Sequence, residues 1–156
     1  MTSRDSEELR VLHRSPEARH QAILAEAARL GIDEDFIATL VDRFYDRIRA
    51  DVILGPVFNR AIGDGWGPHL ATMKDFWASV AMDAGRYDGR PVPAHLKVDG
   101  IEQAHFAHWL GLFRQTLEEL TTNPATVAYF LSRAERIAQS LQWAIFGLPL
   151  INHRAG

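Results

Sequence analysis

The chain has 156 residues, 47% hydrophobic and 24% charged. This balance favours one soluble globular domain over residues 1–156, burying roughly 70% of its unfolded surface. Seventeen Lys and Arg stand against twenty Asp and Glu, for a net charge of -3 and no cysteine. Without a dense basic cluster nucleic acid is excluded as a partner, and without thiols so are disulfides, iron–sulfur clusters, cysteine nucleophiles and covalent C-x-x-C-H haem attachment.

Residues Met1 to Arg10 are polar and lack the apolar core of a signal peptide, and no apolar run approaches the roughly 20 residues of a membrane span. The expectation is a cytoplasmic protein with no membrane span, whose residues 1–14 form a mobile extension. Ser15-Pro16 then supplies an N-cap with proline at the first helical position, and Gly31 a stop, giving a helix near 16–30. Asp33, Glu34 and Asp35 open a second helix running to about Ala50. Its stripe of Ile37, Val41, Tyr45 and Ile48 lies beside Leu40 and Phe44.

Gly55-Pro56 permits a short helix through Ile62, and Gly63 to Pro68 resets the direction of a longer one reaching about Ala84. The inner face of the longer helix is His69, Met73, Phe76 or Trp77, and Val80. Residues 85–100 are too broken by Gly85, Gly89, Pro91, Pro93 and Gly100 for a helix, yet carry apolar Val92, Leu96 and Val98 around His95. A long connection of this kind is functional or disordered, and the apolar content favours a docked loop. Asp99-x-x-Glu102 matches a capping box before a helix bearing Phe106, Trp109, Phe113 and Leu117. Asn123-Pro124 opens a last helix ending near Gly147. The fold class is all-α.

Seven histidines are present, and most must be ordinary. His13, His20 and His153 lie in terminal or polar contexts. His105-x-x-His108 reads as a surface pair, because no H-E-x-x-H and no third zinc ligand accompanies it. His95, pinned by prolines among apolar neighbours, suits a neutral imidazole presented to an iron. His69 starts an apolar stripe, for which plain core with an exposed histidine at its end is the reading the residues alone favour. Tyr45 and Trp109 each carry one polar hydrogen that needs a partner when buried, either a backbone carbonyl or a bound polar ligand. Gly63, Gly65 and Gly67 follow no strand, so a phosphate loop is excluded. No G-x-S-x-G elbow or calcium loop occurs either.

Taken in order, several short pieces form a pattern: Phe44-Tyr45, Leu54-Gly55-Pro56-Val57-Phe58, Trp66-Gly67-Pro68-His69, Phe76-Trp77, Gly85-Arg86-Tyr87-Asp88-Gly89, Ala94-His95-Leu96, His105-Phe106 and Trp109-Leu110. Over residues 30–147 their order and spacing closely resemble the third subgroup of truncated haemoglobins. The resemblance implies a shortened globin, a two-over-two helical sandwich with an N-terminal extra helix. Its cofactor would be a non-covalent haem b, with a loop replacing most of the usual proximal helix.

The resemblance further implies His95 as proximal iron ligand, Tyr45 and Trp109 as distal hydrogen-bond donors, and His69 as distal gate. Met73 falls where the family places an apolar residue over the haem, and Phe58 where an aromatic residue wedges against it. Phe76, Trp77, Phe106 and Phe113 are further walls, and Arg86, Tyr87, Arg90 and Lys97 are candidates for propionate contact. The implied function is reversible binding of oxygen, carbon monoxide, nitric oxide or a similar small ligand. Nitric-oxide oxidation or peroxide chemistry would require an external reductase. The rival readings are a helical sensor or interaction domain without haem, and a peroxidase-type haem enzyme.

Overall fold

Three helix starts are fixed by side chains that accept backbone amides which the helix itself leaves unpaired. In the computed structural model, which describes residues 15–86 and 98–147, Ser15 accepts from the Ala18 amide at 3.1 Å. Asp33 accepts from Phe36 at 2.8 Å, and Asn123 from Ala125 at 3.0 Å. The helices are α1 (Pro16–Arg29), α2 (Glu34–Ala50), α3 (Leu54–Ile62), α4 (Trp66–Met82), α5 (Gln103–Leu120) and α6 (Pro124–Phe146), and no strand occurs among the described residues. None of these helices is long and apolar enough to cross a membrane.

Two boundaries differ from the sequence expectation. Helix α4 stops at Met82 rather than about Ala84, because Asp83 takes a left-handed conformation at φ 54°. The capping box falls one turn later than expected. Glu102 is the N-cap of α5 rather than its third residue, and its amide donates to Nδ1 of His105 at 3.0 Å. Gly100, at φ 83°, breaks the chain just ahead of it.

Helix α2 packs on α4, and α5 packs on α6. Helix α2 also meets α5, so the two pairs lie against one another, while α1 covers α4 and α3 brackets α2. This is the two-over-two globin arrangement with its extra N-terminal helix. The expected stripe of α2 is the centre of the core, with Ile37, Leu40, Val41, Phe44, Tyr45 and Ile48 all buried. Each large apolar side chain taken out of water there stabilises the fold by about 1.5–3 kcal/mol. Three buried hydroxyls are satisfied within the core: Thr116 donates to the Leu112 carbonyl, Thr126 to that of Leu30, and Tyr129 to that of Ala81.

The corner between α2 and α3 is unusually tight. Asp51 Oδ2 accepts from the amides of Ile53 at 3.0 Å and Leu54 at 2.8 Å. Both its oxygens also accept from Nε2 of His108 on α5, at 2.9 and 2.8 Å. Partial burial acts to raise the Asp51 carboxyl, but the Leu54 amide, the His108 ring and the Ile53 amide outweigh it and hold it below its ordinary value. Gly55 completes the corner: a Cβ there would stand 2.8 Å from the Arg49 carbonyl oxygen, which is backbone and cannot step aside.

Gly55→Ala is therefore expected to lower stability by about 1–3 kcal/mol through overpacking. Gly111→Ala, in a helical position with open space around it, should raise stability by roughly 0.5–1 kcal/mol. Paired thermal denaturation curves check both signs. A depressed carboxyl contributes stability above its unfolded pKa, about 3.9, and loses it as pH falls through the folded value. Asp51→Asn should accordingly be less stable than the parent at neutral pH, with the gap closing in acid, as read by denaturant titration at each pH.

Candidate functional site

Between the two helix pairs lies a cavity of about 370 Å³, within the general size range of small-molecule and cofactor sites. Helix α2 contributes Tyr45 to its lining, and α3 contributes Leu54, Val57, Phe58, Ala61 and Ile62. From α4 come His69, Thr72, Met73, Phe76 and Trp77; from α5, His105, Phe106 and Trp109; and from α6, Ile137, Ala138 and Leu141. Val98 and Ile101 close the side where the chain approaches α5. No Asp, Glu, Lys or Arg is among these described lining residues, so the walls are apolar with a few polar tips.

Tyr45 reaches the cavity because it shares the inward stripe of α2. Its ring meets His69 edge-on, with centroids 5.2 Å apart and planes at 89°, and touches Trp66 at 5.9 Å and Phe58 at 6.2 Å. Burial pushes its phenol well above the ordinary tyrosine range, so the hydroxyl keeps its proton and remains a donor. Trp109 is stacked on Phe113 at 5.6 Å and 4° and lies edge-on to Phe44 at 5.4 Å. Tyr45, His69 and Trp109 thus converge from separate helices on one space.

Phe58, Met73, Phe76, Trp77 and Phe106 line the same cavity. Phe113 does not. It is fully buried behind the wall, stacked on Trp77 at 5.1 Å as well as on Trp109, and supports the lining instead of forming it. Arg86 is also absent from the lining: it pairs with Glu34 and, at 3.8 Å, with Asp75. Tyr87, Arg90, His95 and Lys97 lie outside the described residues, as do His13, His153 and most of the broken segment 85–100.

The two histidines of α5 are not a surface pair. They diverge, His108 to Asp51 and His105 to the cavity wall. Because an amide can only donate, the Glu102 N–H places a lone pair on His105 Nδ1, and the neutral ring then carries its hydrogen on Nε2. With one nitrogen engaged and the other protonated, His105 is poorly suited to ligate a metal. No cluster of three metal-binding side chains occurs among the described residues. Sequence reasoning also left out Ile137, Ala138 and Leu141. Their helical spacing puts them on one face of α6, and His105 stands one turn ahead of Trp109 on α5, a signal that could have placed it.

No protein-family model matches the chain. It is 37% identical over 114 residues to the group 3 truncated hemoglobin ctb of Campylobacter jejuni, covering 71% of this chain and 89% of that protein. A crystal structure of group III truncated hemoglobin from Campylobacter jejuni superposes with a TM-score of 0.69 at 36% identity, covering 74% of this chain and 92% of that one.

The buried phenol yields a direct test. In a spectrophotometric titration, Tyr45 should contribute no phenolate absorbance near pH 10, where an exposed tyrosine is half ionised. The parent and Tyr45→Phe curves should therefore coincide through that range and separate only at higher pH or on unfolding.

Proposed function

Because the chain belongs to the group III truncated haemoglobins, we propose that this cavity holds a non-covalent haem b ligated by His95, and that the protein reversibly binds oxygen or another small diatomic ligand beside Tyr45 and Trp109. The observation that carries this reading is the convergence of Tyr45, His69 and Trp109 on one apolar cavity that Val98 also lines. Val98 stands three residues beyond His95 in the sequence, and a tether of that length spans at most about 11 Å. The lining fits a flat, largely apolar cofactor: Phe58, Met73, Phe76, Trp77 and Phe106 offer broad surfaces, and no carboxylate is among the described lining residues. The absence of cysteine leaves no thioether attachment.

When bound, the haem would supply an iron able to take up a small ligand. His95 would hold that iron through a neutral imidazole, Tyr45 and Trp109 would offer an O–H and an N–H to the ligand, and His69 stands against Tyr45 at the same wall. Apolar side chains from α3, α4 and α6 exclude water, so each donor acts in a medium of low polarity. A hydrogen bond to a ligand that carries partial negative charge is worth about 1.5–3 kcal/mol, expressed mainly as slower escape.

His95→Ala should retain less haem and lose the histidine–iron stretching signal of the ferrous form, read by absorption and resonance Raman spectra. An unaltered signal would move the ligand elsewhere. Tyr45→Phe and Trp109→Phe should each speed oxygen release by roughly 10- to 150-fold while altering carbon monoxide release less, because carbon monoxide carries less charge. Both donors address one ligand, so their effects should not add. Stopped-flow release from the parent, both single variants and the double variant checks this, and equal rates in all four would refute the donor roles.

A further inference from the structure

Consecutive helical residues point about 100° apart, so His108 and Trp109 face different neighbours. Trp109 lines the cavity. His108 turns to the α2–α3 corner, where its Nε2–H is shared by both Asp51 oxygens at 2.9 and 2.8 Å. The pair is partly sheltered, with side-chain exposures of 33% for His108 and 15% for Asp51. Asp51 is itself immobilised by the Ile53 and Leu54 amides.

Something must fix the rotation of α5 about its own axis, because a turn of a few degrees would swing the indole along the cavity wall. The Trp109–Phe113 stack cannot do so, since both rings ride on α5. The contacts of Phe44 with Trp109 and Phe113, and of Trp77 with Phe113, cross between helices. They are ring contacts without a hydrogen bond, and their preferred stacked and edge-on arrangements span centroid separations of about 4.5–7 Å, so they hold spacing more tightly than rotation. Among the described residues the directional ties between α2, with its C-cap Asp51, and α5 are three: His108 to Asp51 beside the indole, and Arg47 to Thr116 at 2.8 Å and to Glu119 at 2.5 Å, about two to three turns further along.

We propose that His108 is a positioning residue for the cavity: its hydrogen bond to Asp51 sets the rotation of α5 and so aims the Trp109 indole at the ligand position. The proposal rests on the reading of Trp109 as a ligand donor. His108→Leu removes the tie and leaves the packing side chain, Asp51→Ser keeps a helix-capping oxygen while falling short of His108, and His108→Gln can still donate to Asp51.

The test joins oxygen release with the indole N–H cross-peak of Trp109 in the diamagnetic carbon monoxide form, assigned by its loss in Trp109→Phe. His108→Leu and Asp51→Ser are expected to shift that cross-peak and to speed oxygen release by about 2- to 10-fold. His108→Gln should restore both. In the Trp109→Phe background His108→Leu should have no further effect, because its action runs through the indole. An unmoved cross-peak, or an effect that persists without Trp109, would overturn the proposal. If Trp109→Phe itself left oxygen release unchanged, the donor reading would fall, and the cross-peak alone would decide whether His108 sets the indole.

Discussion

Phe113 is fully buried and stacked on both Trp77 and Trp109, with Phe44 at its edge. The cavity depends on this contact. It couples α4 to α5 and, through Phe44, couples both to α2, so the spacing between the walls carrying Met73, Phe76 and Trp109 is held before any ligand is considered, while the rotation of α5 is left to its hydrogen bonds. Aromatic pairs of this kind contribute about 0.5–1.5 kcal/mol beyond the area they bury. Their larger effect here is geometric: rigid plates with few rotamers keep the helix pairs apart far enough to leave a space.

Much of this was legible in the sequence because it is written locally. The caps at Ser15, Asp33 and Asn123 and the stripe on α2 depend on neighbours a turn or two away, and they lie where periodicity and capping chemistry put them. The capping box of α5 was displaced because Asp99-x-x-Glu102 comes nearer the usual pattern than the Glu102-x-x-His105 pair that forms, and the left-handed Gly100 separates Asp99 from the helix. That glycine's conformation depends on the path of the whole connection, which no short window contains.

The site divides along the same line. Tyr45, His69, Met73 and Trp109 could be proposed from helical faces and from the family pattern, since each sits on a regular helix whose inward direction is fixed. The partnership of His108 with Asp51 spans 57 positions, and nothing in either residue's surroundings announces the other. Arg86 is a second case. The resemblance makes it a candidate for propionate contact, and in this structure it pairs with carboxylates of the chain itself, Glu34 and Asp75, pairings that its surroundings in the sequence do not announce.

The α2–α3 corner also bears on how this sequence can drift. Val52 is 88% exposed and accepts nearly any polar replacement without touching a neighbour, whereas at Gly55 even a methyl group meets backbone at 2.8 Å. Just ahead of them, position 51 needs an acceptor short enough to take the Ile53 and Leu54 amides and long enough to meet His108. Lineages diverging from this sequence can therefore vary freely at one position and scarcely at all three residues later, so the corner should persist as a fixed punctuation mark while the surface around it is rewritten.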